Sequence, residues 1–430
     1  MQLFRRGSVP ALVVALLAVL MPHAASAASA GFYDPPARLP AANGAVVRSE
    51  PMTMLTSLPL GDTAIPGKAT LLMYKSTDAA GKPVAVTGTY LEPAAPWTGP
   101  GDRPLVSYAE GTQGVDDACA PSKTLATVLS GGDGTMGIGY EIPAIDGLLA
   151  QGVAVVVTDY VGLGTTDRVH TYVNRVDEAH AVLDAARAAL DLPDTSVTKD
   201  SPIGLYGYSQ GGGASAAAVE LAPKYAPELN LKGAFAGAPP ANLYEVLKSI
   251  DGSSLAGLVA WAINGVFAYR PDLRPVLRKL INAEGLAYLQ EAKTQCLPDA
   301  MQAAGYHHTS EWTRSGKSAY VALKKYPRLM RVLKQQLIGR RTPQVPVMVL
   351  SGTQDDVVDH AQARQLAVAW CRRGASVTYQ PVIQPLPGGG TGVNHITPDA
   401  EYTAQAESWL LDRLEGTAAT SSCADIATMP

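Results

Sequence analysis

"IGLYGYSQGGGASAAAVEL", residues 203–221, places three consecutive glycines directly after Tyr208-Ser209-Gln210. Glycine loses more conformational freedom on folding than any other residue, so a run of three marks a constraint. Ile203–Tyr206 has the composition of a buried strand and Ala214–Leu221 that of a helix. Between them, Gly207-Tyr208-Ser209-Gln210-Gly211 is G-x-S-x-G, the spacing of a serine carried on a sharp strand-to-helix turn with its Oγ above the sheet. Glycines two residues before and after the serine are required because a Cβ there would strike the neighbouring strand or helix. Gly212, Gly213, Ala214 and Ser215 let the helix lie close on the sheet. The glycines therefore answer to crowding and not to flexibility, and Ser209 is the candidate nucleophile.

The flanking chain repeats a strand–helix alternation. "ATLLMYKST" (69–77) and "VAVTGTYLEP" (84–93) are expected strands joined by a turn at "DAAGKP". "RPLVSYAEG" (103–111), "GVAVVVTDY" (152–160), "KGAFAG" (232–237) and "VPVMVLSG" (345–352) are short apolar runs, each ending at a glycine or polar residue, as buried strands of a parallel sheet do. "RVDEAHAVLDAARAAL" (175–190) is the clearest helix. The alternation predicts an α/β architecture, a doubly wound and mostly parallel sheet. Residues 240–341 break it. "YEVLKSI", "LAGLVAWAINGVFAY", "DLRPVLRKLINAEGLAYLQEAK" and "LKKYPRLMRVLKQQLI" have helical character, and no strand pattern lies among them. So long a connection exceeds an ordinary crossover. It predicts a helical cap at 240–341 inserted into a core formed by 31–239 and 342–430.

The N-terminus, "MQLFRRGSVPALVVALLAVLMPHAASAASA", has a basic start at Arg5 and Arg6, an apolar run over about Val9–Met21 and small residues ending at Ala27 or Ala30. This is the pattern of a secretory signal over 1–30, and the apolar run is short for a membrane span. Leu255–Tyr269 comes nearest to a later span and also falls short of the ~20 residues required. In an oxidising compartment the four cysteines, Cys119, Cys296, Cys371 and Cys423, predict two disulfides. Three pairings are open, and none of the spacings matches a zinc or redox motif. The formal net charge of −4 over 430 residues gives no reason to expect nucleic acid or an anionic membrane surface as a partner.

A serine hydroxyl needs a general base, and the base needs an orienting acid. On this fold the chain order is Ser, acid, His. His395, in the glycine-rich segment "LPGGGTGVNHITPD" after the expected strand "SVTYQPVI", stands where a base must stand; His360 is its main rival. His307 and His308 fall in the helical insertion. For the acid, "VPVMVLSGTQDDVVDH" offers Asp355, Asp356 and Asp359. Asp355 is favoured because it lies just past the strand, and Asp356 fits a solvated turn or helix cap. An oxyanion needs two backbone N–H donors. Gln210, directly after the serine, supplies one, and Gly111 or Thr112 of "EGTQG" the other. Glu110 in that loop is assigned a structural role.

Taken together, "GFYDPP", "CAPS", "DYVGLGT", "GYSQGG" and "GTQDDVV" resemble the secretory lipase family of fungi and actinobacteria, over about Phe32 to Leu414. The resemblance implies an α/β-hydrolase with a helical cap, acting on carboxylic esters including acylglycerols. It carries the nucleophile onto Ser209, the acid onto Asp355, the base onto His395 and an oxyanion donor onto Gly111 or Thr112. It further implies disulfides Cys119–Cys296 and Cys371–Cys423. Many bacterial members read "HGTTG" where this chain reads "EGTQG", and a proline where it has Asp359. The expected protein is an extracellular, monomeric serine ester hydrolase. It would work on a lipid or small ester, including at a lipid–water interface, without metal or organic cofactor and without nucleic acid. An acyltransferase, a peptidase or a catalytically inactive binding protein on the same fold are the alternatives.

Overall fold

The computed structural model describes residues 31–54, 67–132, 134–165 and 167–430. The expected signal segment, 1–30, lies outside the described residues. Nine strands form the main sheet: β1 (Val46–Met52), β2 (Lys68–Thr77), β3 (Pro83–Glu92), β4 (Leu105–Ala109), β7 (Ala154–Thr158), β8 (Ile203–Gly207), β9 (Leu231–Gly237), β10 (Val347–Gly352) and β11 (Val377–Val382). β5 (Leu129–Gly132) and β6 (Thr135–Ile138) make a separate hairpin. The order is β1-β2-β3-β7-β4-β8-β9-β10-β11. From β7 to β11 every pairing is parallel, and the pairings from β1 through β3 to β7 are antiparallel. β1 has no clean apolar alternation and contains Pro51, which a sheet edge tolerates because one side of an edge strand needs no ladder donor.

β4, β7 and β8 are buried along their whole length, because helices cover both faces of the sheet. Four helices precede the insertion: α1 (Pro121–Thr127), α2 (Ile142–Ala150), α3 (Arg175–Leu190) and α4 (Gln210–Tyr225). α3 and α4 are rich in alanine and pack tightly on one face. α1 and α2 pack on the other.

Between β9 and β10 the described chain is helical: α5 (Leu243–Ser249), α6 (Leu258–Tyr269), α7 (Arg274–Leu280), α8 (Ala283–Glu291), α9 (Leu297–Ala304), α10 (Ala319–Ala322) and α11 (Pro327–Gln335), with short 3-10 turns. The helical segment over 272–293 is divided into α7 and α8. Asn282 caps α8 by accepting the Gly285 N–H at 2.9 Å, and Ile281 is extended and bridges to Thr313. The insertion has an apolar cluster of its own around Trp261, Leu277 and Leu329, which reaches Val357 and Val358 of the core. It is joined covalently to the core by Cys119–Cys296. Beside that bond the Val115 N–H donates to Gln295 O at 3.0 Å and the Leu297 N–H to Gln113 O at 2.8 Å.

α12 (His360–Arg372) and α13 (Val393–Leu414) complete the two faces. Cys371–Cys423 ties the C-terminal tail to α12, and the Ser422 N–H donates to Val377 O of β11.

Candidate active site

Ser209 occupies the turn between β8 and α4 with φ 55° and ψ −121°, a conformation costly for a residue with a Cβ and held here by its surroundings. The surroundings are the glycines. A Cβ on Gly211 would fall inside contact distance of the Ala109 carbonyl oxygen, and one on Gly212 inside that of the Gly237 carbonyl oxygen. The turn thus sits between the ends of β4 and β9, and the serine hydroxyl stands at the C-terminal edge of the parallel sheet.

His395 reaches it from α13. The glycine-rich loop expected over 386–399 ends at Gly392, with φ 83°, so His395 is not a loop residue but the third residue of the helix. Pro398 does not stop that helix. The carbonyl it leaves unpaired, Asn394 O, accepts instead from Gln384 Nε2 at 2.8 Å. The imidazole is bonded at both nitrogens, Nε2 lying 2.8 Å from Ser209 Oγ and Nδ1 2.8 Å from Asp355 Oδ2. With Nδ1–H donating to the carboxylate, Nε2 is left to accept the serine proton. Burial works to lower the imidazole pKa. Attraction to Asp355, with Asp399 and Asp356 farther out, outweighs it and raises the value above the ordinary histidine range.

The neighbouring Asp356 holds the backbone of the same region. Its Oδ2 accepts the N–H groups of Thr391 and Gly392 at 3.0 and 3.1 Å, and its Oδ1 accepts that of His395 at 3.2 Å. Asp356 therefore caps the N-terminus of a helix lying some forty residues away in the chain. The Tyr208 hydroxyl donates to His395 O at 2.6 Å. Asp359 caps α12 through the Ala361 N–H. His360 turns away from Ser209, with Nε2 2.9 Å from Tyr379 Oη and Nδ1 3.3 Å from Ser351 Oγ. His307 and His308 are exposed on the insertion, near Glu311 and Asp251.

Gly111 and Thr112 differ in a way the sequence does not reveal. The Gly111 N–H donates to Glu141 Oε2 at 2.9 Å. Among the described residues the N–H groups of Thr112 and Gln210 have no acceptor. The Tyr140 hydroxyl donates to Thr112 O at 3.0 Å, so adjacent residues just before α2 grip the two peptide groups that flank the one carrying the Thr112 N–H. Burial, reinforced by Glu110 and Asp399, holds the Glu141 carboxyl well above the usual carboxylate range. Glu110 accepts from Gln113 Nε2 at 2.7 Å, and burial pushes it up to about 8.

Gln210 is clamped by its side chain. Its Nε2 donates to Glu178 Oε1 at 2.8 Å and lies 3.2 Å from His170 Nε2. His170 gives its Nδ1–H to Val161 O at 2.9 Å, so its Nε2 is the acceptor. Burial lowers His170 to about 4 and raises Glu178 to about 8. Nothing in the local sequence around Gln210 points to either partner.

Ser209 and His395 open into a cavity of about 460 Å³ walled mainly by the insertion, including Val259, Ile263, Val266, Leu277 and Trp312. Leu255–Tyr269 serves two purposes. Trp261 and Asn264 are buried in packing, while Ala262 and Val266 line the cavity. Tyr140, Met301 and Ile396 line it and are also 45%, 39% and 64% exposed, which places its mouth among them. Among the described residues no group of three or more His, Cys, Asp or Glu is arranged to hold a metal ion.

A secretory lipase family model matches residues 129–422, more than half of the chain. A Mycobacterium tuberculosis protein named as a probable inactive lipase is 29% identical over 90% of this chain and 82% of its own length. Lipase 4 of Candida albicans is 28% identical over 91% of this chain and 82% of its own. In three dimensions the chain is similar to Candida antarctica lipase A in its closed state, with a TM-score of 0.74 and 22% identity over 89% of this chain and 85% of that one.

Proposed function

Because this chain belongs to the secretory lipase family, we propose that it is a secreted serine hydrolase of lipid carboxylic esters. The observation that carries this is the position of His395, within 2.8 Å of both Ser209 Oγ and Asp355 at the floor of an apolar cavity. The two disulfides fit an oxidising destination, in keeping with the signal pattern read from residues 1–30.

The ester's acyl chain lies in the cavity against the insertion, and its carbonyl carbon lies over Ser209. Ser209 Oγ attacks that carbon as His395 Nε2 takes the hydroxyl proton. Asp355 keeps the imidazole in the required tautomer and stabilises the imidazolium. The carbonyl oxygen becomes an oxyanion and is met by the N–H groups of Gln210 and Thr112. Gly111 serves by giving its own N–H to Glu141, which holds the loop in place. Each oxyanion donor in such a site is worth roughly 10²–10³ in kcat. His395 then protonates the leaving alcohol, and an acyl-Ser209 ester remains. A water molecule, deprotonated by His395, attacks the acyl carbon, the bond to Ser209 Oγ breaks as His395 returns the proton to that oxygen, and the acid leaves.

A second reading, a protein of this fold that binds lipid without turning it over, is favoured by one observation. The Mycobacterium tuberculosis relative carries the name of an inactive lipase. One experiment separates the two. A fluorophosphonate probe and a series of p-nitrophenyl esters with emulsified triacylglycerol are offered to the wild type and to Ser209→Ala. Labelling and hydrolysis that both vanish in the variant support the hydrolase. An unlabelled wild type that still binds lipid supports the inactive reading.

A further inference from the structure

We propose that the outer face of the helical insertion is a docking surface for anionic lipid. The observation is one of charge placement. Residues 240–341 carry fifteen Lys and Arg against seven Asp and Glu, a net of +8. The other 328 residues carry nineteen against thirty-one, a net of −12. The overall −4 conceals this segregation. It is sharpest between Glu311 and Asp355, where nine Lys and Arg occur with no Asp or Glu.

The fold gathers these cations on neighbouring elements. Arg314 donates from Nε to Arg278 O at 2.9 Å and from its backbone N–H to Leu280 O at 2.9 Å, which brings the segment after Glu311 onto α7. The Tyr326 hydroxyl donates to Lys279 O at 3.0 Å, and Arg328 pairs with Asp272 at 2.7 Å, which brings the start of α11 alongside as well. Both helices are two-sided. Leu277, Leu280, Leu329 and Val332 are buried, while Arg278, Lys279, Arg331 and Lys334 are exposed. Asp272 is already held by Arg270 and Arg328. Among the described residues Arg278, Lys279, Arg314, Lys325, Arg331 and Lys334 have no ion-pair partner.

Position identifies the partner. The buried leucines of these same helices line the cavity that opens at Ser209, so the cations coat the outside of the space that receives an acyl chain. This step rests on the hydrolase reading. Clusters of this density bind anionic lipid headgroups, and the attraction fades within a Debye length. The proposed reaction also generates such a surface. Each neutral ester hydrolysed releases a carboxylic acid that ionises near neutral pH, so a lipid surface under digestion becomes anionic. A basic face would hold the enzyme on the material it is converting.

The test is co-sedimentation of the full secreted chain, disulfides intact, with vesicles of ether-linked phosphatidylcholine, alone or with a third of the lipid replaced by ether-linked phosphatidylglycerol. Ether lipids are not substrates, so binding is read without turnover. The expected result is at least about tenfold tighter binding to the anionic vesicles at low salt, abolished at high salt. Reversal of four charges, Arg278→Glu, Lys279→Glu, Arg331→Glu and Lys334→Glu, should remove that difference and leave hydrolysis of a soluble short-chain ester within about twofold, since none of the four touches the site. If the reversal variant fails to fold, Gln at the same positions should give an intermediate loss. Equal binding to both vesicles, or unchanged binding by the variant, overturns the proposal. So does charge-dependent binding to heparin without binding to vesicles, which would assign the face to an anionic polymer. Anionic-vesicle binding by a wild type that hydrolyses no ester would overturn the hydrolase reading and leave the docking surface standing.

Discussion

Asp356 accepts the backbone N–H of His395 at 3.2 Å, while its neighbour Asp355 takes the same residue's ring nitrogen at 2.8 Å. Two consecutive carboxylates thus fix one histidine in different ways. One orients the imidazole, and the other anchors the helical turn that carries it. Tyr208, next to the serine, closes the arrangement by donating to the His395 carbonyl, so the candidate nucleophile and base are tied through backbone as well as through their side chains.

Removal of the second carboxylate should separate placement from chemistry. Asp356→Ala leaves the buried Gly392 N–H and the part-buried Thr391 N–H without an acceptor, and the His395 N–H with Gly392 O alone at 3.2 Å, at a cost of about 1–3 kcal/mol for a buried group left unsatisfied. The expected outcome is a lower melting temperature and a kcat reduced about 10- to 100-fold with KM little changed, because a base displaced by a fraction of an ångström still binds substrate. Asp355→Asn should cost about 10⁴ in kcat with little change in melting temperature. Steady-state kinetics and thermal melts on both variants check this. Equal kinetic and thermal behaviour of the two would remove the distinction.

Ser209→Ala and His395→Ala should each lower kcat by more than about a thousandfold, and the double variant should be little worse than either, since the groups act as one unit. His360→Ala should keep kcat within about twofold while losing stability through Tyr379 and Ser351. A crippled His360 variant beside an active His395 variant would reverse the assignment of the base.

Histidine must be neutral to accept the serine proton, and the folded site raises the His395 pKa above its ordinary 6.5. The pH profile of kcat/KM should therefore rise with pH, with the midpoint of its acid limb above 6.5. Loss of the Asp355 charge removes the strongest attraction that holds the imidazolium in place. In Asp355→Asn the acid limb should move to lower pH even as the plateau falls. A limb that stays where it was would mean that another group controls it.

The contact between Gly111 and Glu141 makes a further test. Glu141→Gln keeps an acceptor for the Gly111 N–H and should retain kcat within a few-fold. Glu141→Leu removes it and should lower kcat by roughly 10–100-fold with KM nearly unchanged, since an oxyanion donor acts in the transition state. Parallel losses in kcat and KM for the leucine variant would count against a role in placing Thr112.

Val266 lines the cavity and Trp261, on the same helix, packs into the insertion. Val266→Trp should shift the preferred p-nitrophenyl ester toward shorter acyl chains by filling the space a long chain needs, with short-chain turnover nearly unchanged. A flat chain-length response would leave Val266 with packing alone.

Ser209 was legible because its constraint is local, with strand, turn, glycines and alanine-rich helix lying within nineteen consecutive residues. His395 and Asp355 followed from chain order and from their places beyond strands. What stayed hidden depends on distant partners. Asp356 caps a helix that starts thirty-seven residues later. Glu141 meets Gly111 across thirty residues, and Gln210 meets Glu178 across thirty-two. No periodicity or spacing records such meetings. Two more features depend on partners that the local sequence does not show. Pro398 sits inside a helix because Gln384 takes the freed carbonyl, and the helical segment 272–293 divides where Asn282 caps a new helix.

The frame around Ser209 and the chemistry proposed there make different demands on the chain. Gly211 and Gly212 are pressed against carbonyl oxygens of two neighbouring strands, so even alanine at either position would have to displace the sheet. The Ser209 hydroxyl meets no backbone carbonyl in this way, so Ser209→Ala keeps the frame that an alanine at Gly211 or Gly212 would break. The motif thus carries two separable messages. Its glycine spacing records how closely helix α4 lies on the sheet, and only the hydroxyl, with the His395 ring and the Asp355 carboxylate, bears on turnover.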